Sequence, residues 1–222
     1  MPRPAPFAEL AGSSDPPLDA LALALAAEFR TVDAAGALAA LDDLGARLAE
    51  AVAAAGDGAA GDADAEARAC ATLLAQRCGF AGDTEHYDDP RNSMLDVVLE
   101  RRRGLPILLS VVYIEAARRA GIALSGVGLP GHFVVGNFAA DPPLLLDPFD
   151  RGSAIDPPGA VRPWPPDEIA MRMLNNLVSS YSRRGDLRHA IRAAQLRLSL
   201  RTAGAMRDTL ETELRSLRAR LN

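Results

Sequence analysis

Two residues near the middle of the chain have the types and spacing of an acid–base pair. His132 and Asp147 stand fifteen positions apart in GVGLPGHFVVGNFAADPPLLLDPFD, residues 126–150, each inside an apolar, strand-like run. Imidazole is the usual general base near neutral pH, and a carboxylate on one ring nitrogen fixes its tautomer and direction. Such a pair activates a nucleophile held within hydrogen-bond reach, most often a thiol or a hydroxyl. The two cysteines, Cys70 and Cys78, belong to a different segment with helical spacing. Eight residues of helical rise set them about 12 Å apart, too far for a disulfide, and nothing nearby supplies further ligands at zinc spacing. They read as reduced core residues, and no metal site is expected.

The segment that precedes the pair, LPILLSVVYIEAARRAG, is apolar nearly all round until Glu115. It reads as a central, buried helix with Pro106 in its first turn and Gly121 as its C-terminal cap. Ser110, one turn beyond Pro106, is the hydroxyl nearest the helix start and hence the substitute nucleophile; alternatively it is a small interior residue bonding back to a carbonyl one turn earlier. After Gly121 the period shortens, and IALSGVGL, HFVVGNF and PPLLLDPF read as two or three antiparallel strands. The connector RGSAIDPPGAVRPWPPDEIA follows, with Trp164 as a packing anchor.

Upstream, residues 1–17 have the composition of an extended or disordered lead. LDALALALAAEF and ALAALDDLGARLAEAVAAA then carry helical spacing, broken around Thr31 to Gly36, and read as an antiparallel helix pair. GDGAAGDADA is a flexible connection, and EARACATLLAQRCGF resumes the helical pattern. In the polar loop AGDTEHYDDPRN, His86 and Tyr87 either line a groove shared with the pair or pack as ordinary loop residues. Ser93 is placed to cap the helix SMLDVVLERRR, whose three arginines, 101–103, suit its carbonyl end or an acidic partner. Glu100 is placed to accept a hydrogen bond from the Gly104–Pro106 turn, or else to pair with an arginine at the surface.

From Met171 the helical pattern returns, and Leu177, Tyr181, Gly185, Asp186, Ala190 and Ala194 follow the spacing of a tetratricopeptide unit. One unit cannot bury its own face, so this tail is expected to dock on its neighbour. The expected organisation is a lead over 1–17, a main domain over 18–165 and a helical tail over 166–222. A chain of 222 residues can bury one substantial core. The net charge of -5, with mixed signs along the chain, offers no broad basic face and argues against a nucleic-acid partner. LALALAA follows Glu9, Asp15 and Asp19 against a single Arg3, unlike a secretory leader, and no apolar run approaches the length of a membrane span. A soluble, cytoplasmic protein without membrane attachment is expected.

The ordered set NSMLDVVLERRRGLPILLSVVYIEAARRAGI, GVGLPGHFVV and LLLDPFD resembles the SirB-type proteins, which join a transglutaminase-like core to a tetratricopeptide tail. The likeness runs from about Phe80 to Leu200. It implies an α+β fold: a papain-like transglutaminase core with a central buried helix and a small antiparallel sheet, preceded by helices and followed by a tetratricopeptide-like tail. In active members of that superfamily a cysteine opens the central helix, and a histidine and an aspartate follow on adjacent strands. His132 and Asp147 match the latter two, whereas Pro106 or a neighbour stands where the cysteine belongs. Proline supplies neither an attacking atom nor a backbone donor for an oxyanion. The resemblance therefore implies a catalytically silent protein, without a cofactor, that binds a protein or peptide partner through a degenerate cleft and its helical tail. The competing readings are an acyl-transferase or amide hydrolase in which His132 activates Ser110 or water, and a structural adaptor in which the pair is a buried hydrogen bond.

Overall fold

The computed structural model describes residues 5–56, 58–202 and 204–221. It is a mixed α+β protein built around one continuous apolar cluster. The N-terminal helices are α1 (Phe7–Ala11), α2 (Leu18–Ala27) and α3 (Ala34–Ala54). The expected extended or disordered lead thus carries a helix, and Phe7 is fully buried; residues 1–4 lie outside the described residues. α2 is apolar on all sides and is correspondingly internal. It does not form the expected antiparallel pair with α3, because both helices lay their apolar faces on the elements that follow. Asp33 starts α3 by accepting from the Gly36 amide at 3.1 Å.

α4 (Ala63–Cys70) begins inside the stretch read as a flexible connection, of which residue 57 lies outside the described residues. It runs into a π-helical segment, Ala71–Arg77, so the helical pattern through the two cysteines continues with more residues per turn than expected. Two short parallel strands, β1 (Ala81–Gly82) and β2 (Arg103–Gly104), flank a 3₁₀ turn, Pro90–Ser93, and α5 (Leu95–Arg101). Ser93 ends the 3₁₀ turn and does not cap α5; Met94 occupies that position.

α6 (Pro106–Arg119) is the buried centre of the molecule. Pro106 occupies its first turn, where a missing N–H leaves no bond unmade. Gly121, at φ 78, ends it while the Ile122 amide donates back to the Ala117 carbonyl at 2.9 Å. An antiparallel meander follows in the order β3 (Leu124–Leu129), β4 (His132–Asn137), β5 (Leu144–Asp147) and β6 (Ser153–Ile155). Phe133, Val135 and Leu146 join the main core, while Val127, Val134 and Leu145 form a small cluster of their own. This is the alternation of a sheet covered on both faces. Trp164 anchors the connector as expected: its amide donates to the Gly126 carbonyl at 2.9 Å and its ring meets Phe133 edge-on at 5.5 Å.

The chain ends in α7 (Pro166–Arg183), α8 (Leu187–Arg197) and α9 (Ala205–Ala219). Ile169, Met173, Leu174 and Leu177 of α7 and Leu196 of α8 are buried in the same cluster as α6, so the tail shares the main core. α9 packs on α8 through Leu214 and Leu217 against Ala190 and Ala194. No helix among the described residues is long and apolar enough to cross a membrane.

Candidate functional site

β4 starts at His132 and β5 ends at Asp147. The register Val135↔Leu146, continued one step, sets Val134 beside Asp147. His132 lies two residues from Val134 on the same face, so the two polar side chains are diagonal neighbours across the strand pair. They meet: His132 Nε2 lies 2.7 Å from Asp147 Oδ2. The other carboxylate oxygen, Oδ1, accepts from the Phe149 amide at 2.9 Å, and the Gly152 amide closes the turn on the Asp147 carbonyl at 2.7 Å. The carboxylate is nearly covered, with 12 % of its side chain exposed, whereas 30 % of the imidazole is exposed. With Nε2 directed at Asp147, Nδ1 is the nitrogen left to accept a proton, and no protein hydrogen bond ends on it among the described residues.

Phe149 connects this pair to a cleft. Its ring meets His132 edge-on at 6.3 Å and Tyr87 at 5.9 Å. A cleft of about 640 Å³ opens beside it, lined among others by Gly82, Asp83, His86, Arg101 and Arg103. Gly82 is a close-approach glycine: a Cβ there would fall 2.5 Å from three carbons of the Phe149 ring. His86 and Tyr87 therefore gather around the ring that also touches His132, with Tyr87 half exposed and His86 on the cleft wall.

The loop that carries them is held by buried polar groups. Asp83 accepts from the His86 amide at 2.9 Å and pairs with Arg101 at 3.2 Å, and Asn92 Nδ2 donates to the His86 carbonyl at 2.8 Å. Burial by itself raises the Asp83 carboxyl; the His86 amide, Asn92 and the Arg101 guanidinium outweigh it and hold the group below its ordinary value. Asp89 is likewise held low, its burial outweighed by hydrogen bonds from Arg91 and by the charges of Arg91 and Arg101.

The three arginines, Arg102 exposed and the others partly so, bond back to the chain. Arg101 joins the Asp83 network, while Arg102, at φ 57, and Arg103 donate to the Cys78 and Gly79 carbonyls at 2.8 and 2.6 Å. They satisfy carbonyls just beyond the π-helical segment. Glu100 is exposed and takes no hydrogen bond from the Gly104–Pro106 turn; the Leu105 amide of that turn donates instead to the Asn92 carbonyl at 3.1 Å. The backbone is closer to this donor than a side chain on the outer face of α5, so the expected contact does not form.

Pro106 is buried at the start of α6 and carries no group able to attack. Ser110 is completely buried, and its Oγ bonds neither to His132 nor back to the preceding turn. Both cysteines are buried and free; burial, helped by the charge of Glu66, pushes the Cys70 thiol up to about 12. Tyr113, also on α6, has a buried hydroxyl without a partner, and burial followed by neighbouring groups that include Asp147 raises its pKa. The sequence reading missed Phe149, Gly82, Asp83, Asn92 and Arg101. Phe149 sits in the LDPF motif beside Asp147, and that adjacency was the available signal.

A helix-covered meander that joins a histidine and an aspartate on adjacent strands, next to a buried central helix, defines a transglutaminase-like class of domain. Residues 35–164 match the profile of the transglutaminase-like superfamily, and the chain belongs to it. The SirB-type resemblance is supported by its relatives, the UPF0162 proteins. A UPF0162 protein of Xylella fastidiosa (strain 9a5c) is 39 % identical over 158 residues, covering 61 % of this chain and 56 % of that one. A UPF0162 protein of Pseudomonas aeruginosa is 32 % identical over 144 residues, 57 % of this chain and 53 % of its own. The chain thus spans little more than half the length of these relatives. F-box only protein 21 of Mus musculus is 33 % identical over 78 residues, 35 % of this chain and 12 % of that protein. No solved structure matches the chain.

Proposed function

We propose that this transglutaminase-like protein is catalytically silent and binds a peptide segment of a protein partner in the cleft beside His132. In this reading the core is a papain-like fold whose substrate cleft has outlived its nucleophile, and the tetratricopeptide-like tail adds contact surface. The observation that carries the proposal is the assembled His132–Asp147 pair, open on its imidazole side, with no thiol or hydroxyl bonded to it among the described residues. Thiol attack needs an accessible thiolate, and Cys70 and Cys78 are sealed.

The second reading is a hydrolase in which His132 activates water, and the free Nδ1 favours it. Two measurements separate the readings. A peptide array probed with the purified chain should yield binders whose affinity falls at least about tenfold in Phe149→Ala and His132→Ala, as expected for loss of contacts in a cleft. A fluorophosphonate probe and a library of peptide amides should remain unmodified. Labelling of Ser110, or amide cleavage that His132→Ala abolishes, would reverse the order of the two readings.

A further inference from the structure

A second cleft, of about 660 Å³, lies between the N-terminal helices and the start of β3. Its walls are mainly apolar: Leu38, Ile114, Leu124, Trp164 and Ile169, with prolines at the rim. Two acids on its lining, Glu115 and Asp19, are themselves buried, with 2 % and 5 % of their surface exposed. An apolar cleft with charged groups sunk into its wall differs from a solvated acidic patch, because water does not screen those charges fully.

The ion pairs leave part of this wall unmatched. Glu115 Oε2 accepts from Arg118 at 2.8 Å and from Arg119 at 2.6 Å. Asp19 Oδ2 accepts from Arg119 at 2.6 Å, and the same guanidinium pairs with Asp42 at 2.6 Å. Glu115, Asp19 and Asp42 therefore share the guanidiniums of Arg118 and Arg119, of which Arg118 also lines the cleft, and Asp15 adds a further acid to the lining. Glu115 Oε1 receives no hydrogen bond among the described residues, yet it is not one of the sealed polar atoms, so it opens toward the cleft that Glu115 lines. Burial raises the Glu115 carboxyl despite its arginine partners, which accords with an incompletely compensated charge.

We infer that this cleft is a binding site for an apolar group ending in a primary ammonium or a guanidinium, received at Glu115 Oε1 with the hydrocarbon portion against Ile114, Leu124 and Trp164. A cation supplies the missing partner of Glu115 Oε1, a neutral alcohol brings no charge to that oxygen, and an anion would be drawn to Arg118 instead of to the carboxylate. Lysine-like side chains of a peptide and free amphiphilic amines share this chemistry. The site lies at the C-terminal half of α6 and is independent of the cleft beside His132.

Trp164 is the chain's single tryptophan and lines the cleft, so its fluorescence reports on occupancy. The full chain is titrated with hexylammonium, hexanol and hexanoate at fixed ionic strength, and with an acetylated, amidated leucyl-lysine dipeptide. A saturable change is expected for hexylammonium, with apparent affinity at least about tenfold above that of hexanol, the scale of one charged hydrogen bond. The dipeptide binding more tightly than the amine points to a peptide source, and the reverse to a small amine; either outcome supports the site. Glu115→Gln should remove the preference for the amine. Leu38→Arg, which places a guanidinium at the cleft without touching the buried acids, should abolish the response if Glu115→Gln does not fold. Equal binding of the alcohol, preference for hexanoate, no saturable response to either amine, or an undiminished response in Leu38→Arg would overturn the inference.

Discussion

Gly82 and Phe149 offer a direct test of how the backbone sets the candidate site. An alanine Cβ at position 82 would lie 2.5 Å from Cδ2, Cε2 and Cζ of Phe149, against an ordinary carbon–carbon contact of about 3.5–4.0 Å. The ring must therefore retreat by roughly 1 Å, or the Gly82 amide must loosen its 2.9 Å bond to the Phe149 carbonyl. Overpacking of this kind costs about 1–3 kcal/mol, which for a chain of this length lowers Tm by roughly 2–12 °C. Phe149→Ala removes a half-buried ring and is expected to cost about 1–3 kcal/mol, below the range for a fully buried phenylalanine. In the double variant the clash has no target, so Gly82→Ala should add almost nothing. The cycle should return a coupling of about 1–3 kcal/mol by denaturant unfolding. Because Phe149 meets His132 edge-on, Gly82→Ala should also move the imidazole proton resonances while the fold persists. Additive losses, agreeing within about 0.5 kcal/mol, would refute the reasoning.

Tyr113→Phe deletes a buried hydroxyl that has no partner and should stabilise the chain by about 1 kcal/mol; a loss of that size would mean the hydroxyl makes a bond in solution. Asp83 and Asp89 are held below the ordinary aspartate value of 3.8, so their contribution is complete above that pH and is lost as pH falls through the lower folded values. Arg101→Gln should consequently be less stable than the parent at pH 7, with the difference shrinking below pH 3.8; a gap in unfolding free energy that stays constant down to pH 2 would contradict this assignment. Cys70 and Cys78 should resist iodoacetamide at pH 8 in the folded chain and react after denaturation, as mass spectrometry would show; rapid labelling of Cys70 in the native protein would contradict its burial.

What the sequence made legible follows from how local each cause is. Pro106, the continuous apolar run after it and Gly121 specify α6 within a single segment, and the shortened period specifies the strands that carry His132 and Asp147. The contact between those two residues could be expected only from their spacing and the family likeness. Phe7 was missed because proline-rich composition describes an average, while one aromatic side chain entering the core was enough to order a short helix. β1 and β2 have two residues each and pair across α5, so neither has a period to read. Arg101, Arg102 and Arg103 look like the end of a helix, but their destinations, Asp83 and the Cys78 and Gly79 carbonyls, are remote in sequence. The π-helical run through Leu73 and Leu74 has an ordinary helical composition, which carries no sign of its looser winding.

The two halves of the His132–Asp147 pair call for different explanations. Asp147 is accounted for by the fold: Oδ1 fixes the Phe149 amide, its carbonyl receives Gly152, and Oδ2 is satisfied by the imidazole. Without His132 a nearly covered carboxylate oxygen would lose its partner, a loss large enough to keep a histidine in place whether or not any reaction occurs. That argument needs only Nε2. It leaves unexplained why 30 % of the imidazole stays exposed next to Phe149, the ring that also lines the cleft bearing His86 and Arg101, when an amide donor inside a closed wall would satisfy Asp147 as well. The exposure of the imidazole, more than the hydrogen bond itself, is therefore the part of the pair that the packing of the fold does not account for.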